Sequence, residues 1–450
     1  MKFNVRTLIL CASTFVVVGA LCVAALIVSG FVPAQTISDS IRSDYTWIEQ
    51  RGDYPIFFSE TPKYRYDGFS DGIMLMQAIP DDSLTAVENA VLAPYHAIGD
   101  GTPGGDGTGG VSPTQALLNL VSDPNTEQQR DYILYWHGYV VPLRALLTVL
   151  SPANIIALAC VIFAVLSIFA FEAFRRIGGL CYGIAFIAAL LATFAWIVPL
   201  GFKHFSVFFL AFAGIIALYF LLQKTKGREW ILPLFLVLGL LTAFLDLLTT
   251  PLLTFLLPLS LYVLWMIKKQ QESTWYKMVC AGAAWLVGYA GFWASKWLMT
   301  AIVYSSEYAN TEFANAIALR SGAEGGGLSY RLAAIYNNLY QLLVAHPDGA
   351  ISMNELFIRV AFGLVVLAAI WYLLVRVSNT SKEQIKQALP LLLIAVGPYV
   401  WYFVMANHST FHSWFTWRLQ AASILAIVFF ILLSIDWSGL LSKEKPADAS

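Results

Sequence analysis

Apolar segments about as long as a membrane-spanning helix recur along almost the whole chain. Of the 450 residues, 58% are hydrophobic and only 12% are charged, whereas a soluble domain carries roughly 25% charged residues. This pattern predicts an all-α polytopic membrane protein with about ten transmembrane helices. The predicted spans cover residues 8–28, 152–174, 178–198, 205–222, 230–249, 252–267, 278–299, 355–375, 388–405 and 417–434.

The first apolar run follows Lys2 and Arg6, so it could be either a signal peptide or a membrane anchor. A signal-peptide core has about 7–15 apolar residues, and the run at residues 8–28 is longer. Residues 32–34 resemble a cleavage site. The length nevertheless favours an uncleaved first transmembrane helix.

Positive charge lies at every second connection between the predicted spans. Because cytoplasmic loops carry an excess of lysine and arginine, this alternation predicts that both termini are cytoplasmic. A span at residues 131–149 would invert every later segment, so we predict an interfacial helix there. The basic connections contain Arg175, Arg176, Lys224, Lys226, Arg228, Lys268, Lys269, Lys277, Arg376, Lys382, Lys386, Lys443 and Lys445.

The predicted spans leave two substantial segments outside the membrane and only short connections inside it. Short inner connections have no room for a nucleotide-binding domain, which excludes an ATP-driven pump and a cytoplasmic sugar-nucleotide enzyme. The predicted order is a first transmembrane helix (1–29), a large extracytoplasmic loop with interfacial helices (30–150), helices 2–7 (151–302), a smaller outer loop (303–353), helices 8–10 (354–436) and a cytoplasmic tail (437–450).

Charge and cysteine content exclude further classes. The net charge is −1, so no basic field indicates a nucleic-acid partner. The five cysteines all lie in apolar segments and none forms a Cys-x-x-Cys pair, so we predict no redox role for them. Residues 99–110 are mostly glycine, but no Gly-Lys-Ser/Thr follows, which predicts a flexible tip rather than a phosphate-binding loop.

The stretch at residues 64–76 of the first outer loop is the main candidate for catalysis. It contains Asp67 and Asp71, four residues apart among aromatic residues and glycines. If these residues form a helical turn, both carboxylates lie on one face and could hold a metal, share a proton, or divide the roles of general base and electrostatic stabiliser. The alternative is a solvated turn rich in aspartate and glycine.

Ionisable residues near the outer ends of the predicted spans form a second candidate group. Lys203 and His204 lie between two spans, Asp246 lies at the end of another, and Lys296 lies near the end of a fourth. Ionisable groups within spans are costly and often functional. For the lysines the simpler account is that their ammonium groups reach the interface, and for Asp246 a satisfied interface residue remains an alternative.

The segment at residues 407–418 contains His408, His412 and Arg418. The histidines have the spacing of a metal pair on a helix, but no glutamate lies between them and no third ligand is close. Arg418 and the histidines could instead bind a phosphate, because a guanidinium binds phosphate bidentately. A plain polar helix cap is the remaining alternative.

The architecture and several motifs resemble the GT-C class of membrane glycosyltransferases. The motifs are Tyr-Asp-Gly-Phe-Ser-Asp with Asp67 and Asp71, Tyr-Trp-His-Gly-Tyr with His137, the Leu-Thr-Ala-Phe-Leu-Asp segment with Asp246, and His-Ser-Trp-Phe-Thr-Trp-Arg with Arg418. The architectural likeness covers nearly the whole chain, and the motifs look like those of bacterial multi-span proteins allied to that class.

The resemblance implies transfer of a sugar from a polyprenyl-phosphate-linked donor to a glycan, lipid or protein acceptor of the cell envelope. It implies an active site on the extracytoplasmic face of a bacterial plasma membrane, with Asp71 or Asp67 as the acid that acts on the acceptor. Asp81 and Asp82 are adjacent rather than spaced as Asp-x-Asp, so we assign no cofactor, and metal dependence stays open. Candidates for binding the donor phosphate or substrate are His137, Arg144, Lys203, His204, Asp246, His408, His412 and Arg418.

Three other functions fit the same sequence. A lipid-linked sugar transporter or flippase would also use many spans with polar groups, although we find no internal repeat typical of transporters. A polysaccharide polymerase or ligase is closer in chemistry, and a non-catalytic assembly partner is the third. The large outer loops and the ionisable residues predicted at one depth favour an outward-facing glycosyltransferase.

Overall fold

The computed structural model describes residues 5–57, 64–96, 111–123, 130–321, 327–344 and 351–438. Regular structure in these ranges is helical, and the strand-like pairs are the isolated bridges between Ile56 and Arg65 and between Tyr95 and Arg130. The predicted all-α class is therefore confirmed for the described part of the chain. The glycine-rich tip predicted at residues 99–110 and most of the predicted tail at 437–450 lie outside it.

Eight helices in the described residues are long and apolar enough to cross a membrane. Each overlaps a predicted span, which supports a polytopic, membrane-embedded protein. They comprise Val5–Ser29, Pro152–Gly178, Phe202–Gln223, Lys226–Leu245, Thr274–Val303, Met353–Ser378, Lys382–Val404 and Ser413–Ser434.

Two predicted spans form shorter apolar helices, Leu180–Ala192 with 13 residues and Leu253–Lys268 with 16. The first ends early because Phe194 has left-handed backbone with φ of 49° and a 3₁₀ helix containing Pro199 follows. A helix this short is ~20 Å long, less than the ~30 Å hydrocarbon core. Eight spans are therefore supported by length, and the total of about ten stays a prediction.

We number the α-helices in chain order. The amino-terminal part contains α1 (Val5–Ser29), α2 (Ala34–Ser43), α3 (Tyr45–Arg51), α4 (Gly68–Ala78), α5 (Ala86–Leu92), α6 (Pro113–Ser122) and α7 (Val140–Leu147). The central part contains α8 (Pro152–Gly178), α9 (Leu180–Ala192), α10 (Phe202–Gln223), α11 (Ile231–Leu245), α12 (Leu253–Lys268), α13 (Thr274–Val303) and α14 (Ser306–Ser321). The carboxy-terminal part contains α15 (Leu328–Leu343), α16 (Met353–Ser378), α17 (Lys382–Ala388), α18 (Pro390–Val404), α19 (Ala406–Phe411), α20 (Ser413–Thr416) and α21 (Ala421–Ser434). In the described part of the chain, 3₁₀ helices cover Ala195–Leu200, Lys226–Trp230 and Trp417–Gln420.

The helix predicted at residues 131–149 is shorter than expected, because α7 begins only at Val140. His137 has left-handed backbone with φ of 54°, which a continuous helix cannot contain. The Gly138 amide donates to the Phe244 carbonyl at 2.7 Å, and a Cβ on Gly138 would lie 2.5 Å from the Phe244 ring. Packing against the end of α11 therefore fixes an irregular backbone where the sequence predicted helix.

The chain forms two compact units. The first comprises Met1–Ala170, Phe194–Phe255 and Val279–Leu319, and the second comprises Phe171–Thr193, Leu256–Met278 and Arg320–Ser450. In the first unit, α4 packs against α6, α7 and α10, while α1 and α10 pack against α11. In the second unit, α18 and α9 pack against α21, and α15 packs against α18 and α19.

Within the first unit, α11 and α13 approach each other closely at two glycines. A Cβ on Gly239 would lie 2.0 Å from the carbonyl oxygen of Trp285. A Cβ on Gly288 would lie 2.0 Å from the carbonyl oxygen of Leu236. The absence of both side chains lets the two backbones touch, as small residues do at interfaces between membrane helices.

Gly239→Ala should therefore destabilise the protein by about 1–3 kcal/mol, because the new methyl group must push two helices apart. Gly363 of α16 is the matched control, since a Cβ there would meet nothing within 4 Å. Gly363→Ala should be neutral or stabilise by about 0.5–1 kcal/mol through its higher helix propensity. Thermal unfolding of both purified variants in detergent tests this, and equal melting temperatures would contradict the close crossing.

Candidate functional site

Asp67 and Asp71 lie at the start of α4 and are 2% and 7% exposed. Asp67 is the N-cap of this helix, and its carboxylate accepts the Ser70 amide at 2.9 Å and the Ser70 hydroxyl at 2.8 Å. Asp71 lies one helical turn later. The chain can approach Gly52 here because position 68 is glycine, where a Cβ would lie 2.2 Å from the Gly52 carbonyl oxygen. The pair is thus buried, unlike the solvated turn that was the alternative.

Asp67 forms an ion pair with Lys203, the second residue of α10. The ammonium group of Lys203 lies 2.7 Å from a carboxylate oxygen of Asp67 and donates to the Ser70 hydroxyl at 3.1 Å. Burial is the largest single influence and acts to raise the pKa of Asp67, but Lys203, His204 and the hydrogen bonds from Lys203 and Ser70 together hold the pKa below its ordinary value. Asp67 is therefore a fixed anion that joins the start of α4 to the apolar helix α10.

Asp71 binds the amino terminus of the same membrane helix. Its carboxylate accepts the backbone amides of Phe202 at 3.0 Å and Lys203 at 3.2 Å, and it accepts the hydroxyl of Tyr66. Gly201, the N-cap of α10, has no side chain to satisfy these amides. The carboxylate of Asp71 supplies the missing acceptor and interacts favourably with the positive end of the helix dipole.

The two carboxylates differ in proton affinity. Burial raises the pKa of Asp71 to about 7, although the Tyr66 hydrogen bond and the charge of Arg51 act to lower it. Asp71 and Arg51 line a cavity of about 20 Å³, roughly the room that one water molecule needs. Asp71 therefore combines a pKa near neutrality with a small space beside it, whereas Asp67 is held ionised.

A larger cavity of about 380 Å³ lies along α10 in the same unit. Apolar side chains dominate its walls, and they come from α7, α8 and α10, from the middle of α4 and from the end of α11. Phe202 lines both this cavity and the small one at Asp71. The lining side chains include Met74, Leu143, Leu146, Ile155, Leu158, Ile162, Phe205, Phe209, Leu210 and Ala213.

Arg144 is buried and binds the carboxyl end of α4. Its guanidinium donates to the carbonyls of Ala78 at 3.0 Å and Gln77 at 3.1 Å, and to the Ser29 hydroxyl at 3.1 Å. Arg144 therefore completes the hydrogen bonding of the helix that carries the acids, and joins it to the end of α1.

His137 belongs to a buried chain of hydrogen bonds. Its Nε2 donates to the Tyr132 carbonyl at 2.6 Å, and its Nδ1 lies 3.1 Å from the Tyr139 hydroxyl, which donates to Gln77. Burial, with a smaller contribution from Lys296, lowers the pKa of His137 to about 3. The imidazole is therefore neutral at physiological pH. Its two nitrogens contact the Tyr132 carbonyl and the Tyr139 hydroxyl, and not a bound anion.

Asp246 and His204 lie close to Lys203 in the first unit. Asp246 follows α11 and closes a turn by accepting the Thr249 amide at 3.0 Å and its hydroxyl at 2.6 Å. It also lies within electrostatic range of Lys203. His204 is buried and adds positive potential at Asp67. The structure thus brings Asp246, His204 and Lys203 into the region of the acid pair.

The ammonium group of Lys296 is buried, so it does not extend to the membrane interface as the sequence predicted. Its side chain is 0% exposed and donates to the carbonyls of Ala90, at 3.5 Å, and Val91, at the end of α5. Its ammonium group lies 5.3 Å from the centre of the Trp136 ring. These contacts make Lys296 an anchor between α5 and α13.

His408, His412 and Arg418 belong to the second unit, where the backbone around them is irregular. The histidine rings lie 4.7 Å apart, and Arg418 donates to the Trp414 carbonyl at 3.3 Å. Fully buried Asn338 of α15 organises this segment by donating to the Ser409 carbonyl at 2.9 Å and accepting the Thr416 hydroxyl at 2.7 Å. Among the described residues, no group of three His, Cys, Asp or Glu side chains could hold a metal.

Sequence reasoning missed three residues that contact or adjoin Asp71. Tyr66 donates to its carboxylate, Arg51 lines the same small cavity, and Phe202 supplies a backbone amide and a wall of both cavities. A signal for Arg51 was available, because Trp47 precedes it by four residues and its ring can lie beside the guanidinium. Nothing in the sequence pairs Phe202 with Asp71.

The fold and its buried polar residues define a helical, membrane-embedded protein with an acid pair at the amino end of one apolar helix. Comparisons of the chain with protein-family models, with curated proteins and with solved structures found no match.

Proposed function

We propose that this protein is a GT-C-like membrane glycosyltransferase of the bacterial plasma membrane. In this proposal it transfers a sugar from a polyprenyl-phosphate-linked donor to a glycan, lipid or protein acceptor on the extracytoplasmic side. The observation that carries the proposal is the position of Phe202, whose amide binds Asp71 and whose side chain lines the adjoining apolar cavity. A candidate base and a candidate lipid site therefore share one residue.

The apolar cavity supports a lipid-linked donor. Its volume of about 380 Å³ falls in the ordinary range for small-molecule sites. It lies between α7, α8 and α10, where an isoprenoid chain could enter from the membrane. A transferase with a water-soluble donor would not need an apolar cavity beside its acids.

Asp71 is the better candidate for the base. Transfer forms a bond from the sugar C1 to the acceptor oxygen and breaks the bond from C1 to the donor phosphate, while a base takes the acceptor proton. A base works best when its pKa lies near the operating pH, and the pKa of Asp71 is about 7. Asp67, paired with Lys203, would hold α10 and the local charge in place.

Arg51 is the cation best placed for the leaving phosphate in the first unit. It lines the small cavity together with Asp71, which neither Lys203 nor Arg144 does, and its described hydrogen bond goes to a backbone carbonyl, that of Leu200, whereas Lys203 is paired with the charge of Asp67. A guanidinium is suited to the charge that grows on a departing phosphate. His408, His412 and Arg418 remain candidates for substrate binding in the second unit.

Envelope glycans provide the test. Linkage analysis should compare a deletion strain with the same strain expressing the wild-type chain, after membrane expression is verified. Loss of one glycosidic linkage in the deletion strain, and its return with the wild-type chain, would support a transferase. Unchanged linkages, or accumulation of a lipid-linked precursor on the cytoplasmic side, would contradict it, and the second result would favour a flippase.

Ala213→Trp tests the lipid cavity. Ala213 lines the cavity from an exposed position on α10, so a tryptophan there can obstruct the cavity at its open side. We expect the variant to lose at least about 90% of the complementing activity, a loss of about tenfold that corresponds to 1.4 kcal/mol. The control is Leu364→Trp on the exposed side of α16, which should complement fully. Equal complementation by both variants would show that the cavity does not hold the donor.

A further inference from the structure

Tyr66 donates a hydrogen bond from its side chain to the carboxylate of Asp71, which also accepts two backbone amides of α10. The tyrosine is 2% exposed, so its hydroxyl must find a partner inside the protein. Its backbone amide donates to the Pro55 carbonyl at 3.0 Å, which fixes the residue just before α4.

Two neighbours hold the ring of Tyr66 in place. The guanidinium carbon of Arg51 lies 4.6 Å from the centre of the Tyr66 ring and 4.4 Å from that of Trp47, while Arg51 donates to the Leu200 carbonyl at 2.7 Å. On the other side, the hydroxyl lies against Gly201, where a Cβ would fall only 1.3 Å from the phenolic oxygen. Position 201 therefore accepts no side chain while Tyr66 keeps this position.

We propose that Tyr66 is a positioning residue for Asp71. Its hydroxyl, held by Arg51 and Gly201, orients the carboxylate towards the amino end of α10 and stabilises its charged form. The role in catalysis rests on the proposed function, whereas the effect on Asp71 does not. In a glycosyltransferase, Tyr66 would set the pH range in which Asp71 can accept a proton from the acceptor hydroxyl.

Several charged or titratable groups act on Asp71, so the effect of Tyr66 must be separated from theirs. A hydrogen bond to the charged form of a carboxylate lowers its pKa, as does the charge of Arg51, while Asp67 acts in the opposite direction. Removing only the hydroxyl leaves the others in place. The groups that face Asp71 are Arg51 from α3, Tyr66 and Asp67 before α4, Tyr139 before α7, and Lys203 from α10.

Tyr66→Phe tests the proposal because it removes the hydroxyl and keeps the ring beneath Arg51. Infrared spectroscopy of the purified full-length protein can follow protonation of Asp71 through the carboxylic acid C=O band that Asp71→Asn abolishes. We expect the midpoint of this titration to move to higher pH by about one unit, the size expected for one lost hydrogen bond to a carboxylate. Tyr54→Phe, a change in the same segment, should leave the midpoint where it is.

Gly201→Ala provides a second variant, because its methyl group must displace the Tyr66 hydroxyl. It should move the midpoint in the same direction. An unchanged midpoint in folded Tyr66→Phe would overturn the proposal, whether or not the chain transfers sugar. The infrared measurement needs no substrate, so it supports or overturns the role of Tyr66 even if the glycan comparison rejects a transferase.

Discussion

Asp71→Asn should reduce transfer by at least about 100-fold, because the variant has no carboxylate to accept the proton of the acceptor hydroxyl. The amide oxygen of asparagine can still accept from Phe202 or Tyr66, so we expect the protein to reach the membrane folded. The measurement is the rate at which the linkage identified by glycan analysis is formed in membranes. The matched control is Asp82→Asn, an exposed acid between α4 and α5, which should keep the wild-type rate.

The pH dependence of the transfer rate also follows from Asp71. Because burial raises the pKa of Asp71 to about 7, the base is mostly protonated below that pH and mostly ionised above it. The transfer rate of the wild type should therefore rise as the pH increases through about 7 and then level off. A flat profile, or full activity in Asp71→Asn, would show that another group acts as the base.

Lys203→Met should destabilise the protein by about 3–5 kcal/mol, the usual cost of removing one partner of a buried ion pair. The variant leaves Asp67 buried at the start of α4 with no ammonium group at 2.7 Å. Thermal or denaturant unfolding in detergent measures this change. Arg359→Met breaks an exposed pair with Glu355 and should change stability little, because water screens that pair.

The double variant Asp67→Asn with Lys203→Met separates charge from packing. It should recover much of the lost stability, because the uncompensated buried charge is removed together with its partner.

The contribution of Asp67 to stability depends on pH with a definite sign. In the wild type the pKa of Asp67 is lowered, so its contribution to stability is lost as the pH falls through that pKa. In Lys203→Met burial raises the pKa, so the single variant should lose stability as the pH rises instead.

Helix α10 connects the acid pair to the candidate lipid site. The amino end of this helix binds Asp71 through backbone amides and Asp67 through Lys203. The apolar cavity runs along the same helix. A change in the position of α10 would therefore affect both the acid pair and the candidate lipid site, which is why Lys203→Met should also lower transfer.

The sequence alone determined the helical, membrane-embedded class, because a long apolar run without charge has few stable alternatives in water. It also picked out Asp67 and Asp71, whose spacing around a helix start is a local property. It overestimated the length of the helix before Leu150, since the left-handed backbone of His137 depends on the packing of Gly138 against Phe244. That contact joins residues more than 100 positions apart in the chain.

Only the tertiary structure decided what the polar residues contact. Spacing could not show that Lys203 pairs with Asp67, that Arg144 binds the end of α4, or that Lys296 is fully buried against the end of α5. The physical reason is that hydropathy and periodicity report on each segment by itself. The partner of a buried charge depends on how distant segments pack. That packing gives Asp71 a pKa near 7 and keeps Asp67 ionised beside Lys203.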